Sequence, residues 1–186
     1  MPSIPGNVTA MHTNTTGQSL TLPLLAGLRP DGEAIVEQVP AERVMDNSAA
    51  TNGHASAQYR IQRSPAFVRG IASGDRLAFP AKNAAGFDVV KRSGNLCVRI
   101  LRKHNMAPLL QVLTPELEML DGTLDLETER MAVFSIHVSI GFQSIEAVLD
   151  RVTGQFPDSV WYYGNVYDPA DGVTPLNWWH AFLAPD

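Results

Sequence analysis

Apolar and polar positions along this chain change period partway through. Leu20, Leu22 and Leu24 alternate with Thr21 and Pro23, which predicts a strand over 19–25, with Pro23 placing it at a sheet edge. Residues 29–39, RPDGEAIVEQV, read as a turn followed by a second strand. Next come short extended runs. Tyr59 and Ile61 face one way and Arg60 and Gln62 the other. Ser64-Pro65-Ala66 breaks that strand, and Ser73-Gly74-Asp75 is a turn in which Gly74 supplies an unusual backbone shape and Asp75 closes the loop through its side chain. Leu77 and Phe79 restart an extended run, Asn83–Gly86 turns again, and Phe87–Arg92 is a further strand. Short strands parted by Gly, Pro and Asn predict a small antiparallel sheet or half-barrel. Arg60, Arg63, Arg69 and Arg76 fall on its polar positions and read as a solvated face.

The second half has longer periods. Gly94–Arg102 is a strand. Leu109, Leu113, Leu117 and Leu120 form a helical stripe interrupted by Pro115. Either the helix kinks there, or it stops and a second starts with Thr114 as its cap. Residues 122–131 set Leu124, Leu126 and Thr128 against Asp125, Glu127 and Glu129. Residues 132–140 set Phe134, Ile136, Val138 and Ile140 against Ser135, His137 and Ser139. Ile145, Val148, Leu149 and Val152 mark a helix that Gly154 ends, and 159–167 is a last strand. The order β-α-β-β-α-β is the ferredoxin-like arrangement. Trp178, Trp179 and Phe182 are too apolar to float free and are expected to dock on the body. The fold class is therefore α+β: a small N-terminal antiparallel β-sheet or half-barrel, then a ferredoxin-like half. Residues 1–18 read as a flexible arm, 19–93 as a β-rich subdomain with a polar loop at 46–57, 94–167 as the ferredoxin-like subdomain, and 168–186 as a Trp-containing tail.

At 186 residues and 45% apolar content, the chain can bury a substantial core. A net charge of −5 argues against a general nucleic-acid binder and suits a basic partner. The single cysteine, Cys97, allows no internal disulfide. His12, His54, His104, His137 and His180 stand at no metal-ligand spacing, so neither a metal nor a cofactor is expected. The first twenty residues carry no Lys or Arg and no apolar run, and no stretch reaches the length of a membrane span. A cytoplasmic protein is expected, in which the N-x-T triplets at Asn7 and Asn14 carry no glycan.

Several pieces together resemble the bacterial group catalogued as domain of unknown function 4265. They are Tyr59 in its strand, Pro65 with Phe67, Gly74 with Asp75, Ser93 with Gly94, and Arg99 ending a strand's run, with Glu37 matching an early acidic position. The resemblance spans about residues 20–167. Asn95 stands where the group has His, and Cys97 where it has Thr. The resemblance implies the architecture. Small families of this kind look like immunity proteins that neutralise a bacterial toxin, an association of family type with no chemistry behind it.

No nucleophile elbow or phosphate-binding loop occurs. Cys97, in a strand beside Arg99, reads as a small buried thiol. His137 lies on the same expected face as Asp125, Glu127 and Glu129, where it can serve as a general base or as a hydrogen-bonded surface residue. Trp161, Tyr162, Tyr163 and Tyr167 lack the basic pattern of an RNA-stacking sheet and read as core. The expected function is a non-catalytic protein-binding module of immunity type. Its partner is a protein, such as a basic toxin domain, with neither nucleic acid nor membrane. Asp125, Glu127, Glu129, His137, Trp178 and Trp179 are its candidate partner-binding residues. The alternative is a small-ligand protein or enzyme using a cleft between the halves, with Arg69, Asp75, Ser93 and Arg99 as its polar groups.

Overall fold

The computed structural model describes residues 19–44, 57–79 and 86–183. The expected N-terminal arm and nearly all of the polar loop at 46–57 lie outside the described residues. Among the described residues, nine strands form two antiparallel sheets. The first is a meander of β1 (Ser19–Leu28), β2 (Ala34–Val44), β3 (Gln58–Ile61), β4 (Arg76–Ala78) and β5 (Asp88–Lys91), paired in chain order. It is an open sheet, the first of the two forms expected. Pro23 sits on the outermost strand, where a residue without an N–H removes no bond to a further strand. Leu22, Leu24, Val39, Ala41, Ile61 and Leu77 make its buried face.

The second sheet comprises β6 (Asn95–Arg102), β7 (Thr123–Glu127), β8 (Met131–His137) and β9 (Ser159–Tyr163), in the order β7-β8-β6-β9. Helices α1 (Ala107–Glu118) and α2 (Phe142–Thr153) connect its strands in the expected β-α-β-β-α-β sequence. Alternate residues of β6 face opposite ways. Leu96, Val98 and Ile100 pack on the leucines of α1 and on Ile145, Leu149 and Val152 of α2. Of the residues between them, Cys97 packs with Ala66, Ala72, Met131 and Val133, and Arg99 donates to backbone carbonyls at 65–68.

Helix α1 runs unbroken through Pro115, deciding between the two forms expected there. Leu109, Leu113 and Leu117 are buried in one stripe on both sides of the proline, so continuing the helix keeps Leu117 in the core. Strand β9 ends at Tyr163, short of the expected 167, and β8 gives way to a 3-10 turn at Val138–Ile140. Gly154 ends α2 as expected, in right-handed geometry. The tail docks on its own chain. Trp178, Trp179 and Phe182 of the tail, whose last turn is α3 (His180–Leu183), pack on the helical core.

Between the two sheets lies an irregular crossing, residues 62–75. Its Val68 and Ile71 complete the core of the first sheet, while its Ala66 and Ala72 pack against the second. Backbone bonds satisfy part of its main chain, among them Asp75 N–H to Ala72 and Gly70 N–H to Gly164. Polar side chains around it take much of the rest.

Candidate functional site: a clamped crossing segment and its surfaces

The first clamp is Glu37 of β2. Its carboxylate accepts the N–H groups of Ala66 at 2.6 Å, Phe67 at 2.8 Å and Val68 at 2.9 Å. Consecutive N–H groups aimed at one point form an anion nest, here filled by the chain's own acid. The second clamp is Arg99 of β6, 1% exposed. Its guanidinium donates to the carbonyls of Pro65 at 3.2 Å, Phe67 at 3.5 Å and Val68 at 2.5 Å. One charged group thus satisfies the donors of this turn of chain and the other its acceptors. Gly164 lets Arg99 in, since a Cβ there would lie 2.8 Å from the guanidinium carbon. Tyr162 lies against the same group at 5.9 Å.

Asp75, fully buried, holds the far end of the crossing. It accepts the N–H of Ala72 at 3.1 Å and of Ser93 at 2.8 Å, and pairs with Arg92 at 3.1 Å. Burial raises its pKa, and the hydrogen bonds and Arg92 pull against that rise. Gly74, at φ +84°, makes the turn that the sequence assigns to it.

Asp125 departs from expectation. The pairing of β7 with β8 shifts register between Leu124 and Leu126, and this irregularity turns Asp125 inward. There it accepts the N–H of Ser64 at 2.9 Å and the hydroxyl of Ser135, and Ser64 and Ser135 share a bond of 2.6 Å. Glu127 and Glu129 remain exposed. The expected acidic strip is therefore not continuous. His137 is also separated from it, because Glu127 pairs with Ala132 and Thr123 with Ser135. His137 instead bonds Ser139 at 2.7 Å and meets the ring of Phe182.

Arg99 of the expected cleft does not lie beside His137. Arg99 pairs in register with Val133 and His137 with Asn95, at the other end of the strand pair, and Arg99 is occupied by carbonyls. Asp75 and Ser93 are internal partners. Arg69 stands exposed. Trp178 donates to the carbonyl of Asn165 at 2.7 Å and carries Arg92 over its ring, while Trp179 lies against Phe142. Both are part-buried within the chain. Burial pushes the Cys97 thiol up to about 11, so at neutral pH it is a thiol and a poor nucleophile. Among the described residues no cluster of three or more His, Cys, Asp or Glu could hold a metal ion.

Asn165, fully buried, is absent from the sequence reading. Where β9 ends, its side chain accepts the N–H of Cys97 at 2.9 Å and donates to the carbonyl of Asn95 at 2.8 Å, continuing the β6 ladder with an amide. The Gly164-Asn165 pair after an aromatic strand is the only sequence signal for it.

Two larger grooves lie open among the described residues. Phe67 is 55% exposed although its neighbours Ala66 and Val68 are buried. With Leu101, Met131 and Val160 it lines a groove of about 460 Å³, edged by Lys103, Thr128 and Arg130. A second groove of about 600 Å³ runs between β1, β5 and the crossing, with Arg69 and Arg92 on its walls. No helix among the described residues is long and apolar enough to cross a membrane.

No curated protein matches this chain. Among solved structures, a hypothetical protein from Neisseria gonorrhoeae is similar in fold, at a TM-score of 0.54 and 15% identity over 80% of this chain and 94% of that one. The match to a family model covers residues 48–156, which takes in the crossing segment, Asp75, Arg99 and Asp125. The chain belongs to the family described as Domain of unknown function (DUF4265).

Proposed function

We propose that this chain is a non-catalytic protein-binding module of immunity type, acting in the cytoplasm, whose partner is a bacterial toxin domain. The observation that carries the reading is Phe67. Its ring faces solvent, while its backbone is fixed on one side by Glu37 and on the other by Arg99. An aromatic side chain held on an ordered backbone loses little freedom on binding, which is what interface anchors require. The apolar floor of Leu101, Met131 and Val160 beside it, with charges at its edge, matches the anatomy of a binding patch. Glu127 and Glu129 are exposed in the same β7–β8 turn as Thr128 and Arg130 of that edge. They and the net charge of −5 favour a basic partner.

The polar residues of the clamps support the same reading from the other side. Glu37, Asp75, Arg99 and Asp125 each bind the chain's own backbone. The test is co-expression with the toxin-like product of a neighbouring reading frame. Wild-type chain should restore growth and form a one-to-one complex. Phe67→Ala should weaken that complex by about 2 kcal/mol or more, and Glu127→Lys with Glu129→Lys should slow association most at low salt. A complex indifferent to Phe67→Ala would reject this face.

A further inference from the structure

The groove beside β5 has a different chemistry from the Phe67 surface. Its walls are Leu25, Val68, Phe87, Val89, Pro169 and Leu176. The pairing irregularity between Leu25 and Gly27 lies along one wall. Gly70, at φ +82°, lets the crossing approach the tail closely, since a Cβ there would lie 2.8 Å from Pro169. Among the described residues, the ionisable groups lining the groove are Arg69 and Arg92. Arg92 is already occupied by Asp75 at 3.1 Å and by the carbonyl of Gly70 at 2.5 Å. Arg69 has no ion-pair or hydrogen-bond partner among the described residues. Among the described residues no carboxylate lines this groove, and Arg69, which also borders the adjoining cavity of Tyr167 and Asp168 with its Nη1 beside Gly172, brings to its edge a guanidinium that makes no ion pair.

A guanidinium presents parallel donors that match the two oxygens of a planar or tetrahedral oxyanion. At about 600 Å³ the groove falls within the size range of small-molecule sites, and apolar walls with few polar groups are their usual lining. We propose that it binds a small amphiphile. Arg69 takes the carboxylate or phosphate head, and Leu25, Phe87, Val89 and Leu176 take the apolar body. The site is independent of the protein-binding face at Phe67.

Calorimetric titration of the full chain tests this with four probes of one chain length, all below their micelle concentrations: decanoate, monodecyl phosphate, 1-decanol and decyltrimethylammonium. Saturable one-to-one binding of at least one anion is expected, with the alcohol and the cation at least about tenfold weaker. The tighter anion identifies the head group. Arg69→Ala should weaken that anion by about tenfold and bring it level with the alcohol, while Arg69→Lys keeps part of the affinity. Leu25→Glu, at a partly exposed wall position, should abolish anion binding with an unchanged circular dichroism spectrum. Equal binding of all four probes, full affinity in Arg69→Ala, or no saturable binding by either anion would overturn the proposal.

Discussion

Arg99 carries a full charge in the interior, and no carboxylate lies within ion-pair distance of it among the described residues. Burying such a charge is costly unless its hydrogen bonds are complete. Three backbone carbonyls supply them, and those carbonyls have the same need. Removing the side chain strands both sides. Arg99→Met is expected to lower the unfolding free energy by about 3 kcal/mol or more in urea titration, and Arg99→Lys to recover little, because one ammonium cannot span three acceptors.

The buried acids set a pH dependence. Burial raises the pKa of Asp125 above its ordinary 3.8, against the pull of Ser135, Ser64 and Arg63, and Asp75 moves the same way. The native state therefore keeps these protons to higher pH than the unfolded chain does. From 3.8 up to the raised values the unfolded state ionises first, so stability falls as pH rises through that window and then levels. Asp158 and Asp171, whose values are lowered, act in the opposite sense. A comparison of wild type with Asp125→Asn cancels their effect. In urea titrations from about pH 3.5 to about pH 7, the variant should show a shallower fall.

At the scale of elements, alternation in the sequence locates most strands, because burial on one face imposes the period that the eye reads. Leu22 with Leu24, and Leu96 with Val98, illustrate this. Alternation cannot register an irregularity whose cause is remote. Asp125 stays in period with Glu127 and Glu129 along the sequence, yet Ser64, far away in the chain, is what its carboxylate meets. Asn165 is hidden for a related reason, since an amide that imitates a strand lies within a pattern that already reads as strand. Its replacement should be informative. Asn165→Leu keeps the branched outline but leaves the N–H of Cys97 and the carbonyl of Asn95 unpaired, and a loss of about 2–4 kcal/mol is expected by urea titration. Pro115 shows the converse, a local breaker overruled by the leucine on its far side.

At the scale of the molecule, the two sheets share a fastener. Glu37 comes from the first sheet and Arg99 from the second, and both grip residues 65–68. The halves should therefore unfold together. Trp161, Trp178 and Trp179 all lie in the second half, so tryptophan fluorescence reports that half while far-ultraviolet circular dichroism reports both. The two transitions should coincide in wild type and separate in Glu37→Gln, with the dichroism midpoint falling first. The architecture of each half is legible from periodicity; the fastening between them is not, because it depends on three distant segments meeting an irregular one.

The order in which the chain emerges during synthesis gives that fastening a further meaning. The crossing leaves the ribosome after β1, β2 and β3 but before β4 and β5, with its N–H groups already matched by Glu37 but its carbonyls waiting for Arg99. Gly164, which leaves room for the guanidinium, and Asn165, which continues the β6 ladder, come only near the end. The first sheet is thus made early and finished late. From the emergence of the crossing until β6 arrives, its core rests on a segment whose carbonyls lack their Arg99 partner, and the ladder beside it is completed only when Gly164 and Asn165 have been delivered.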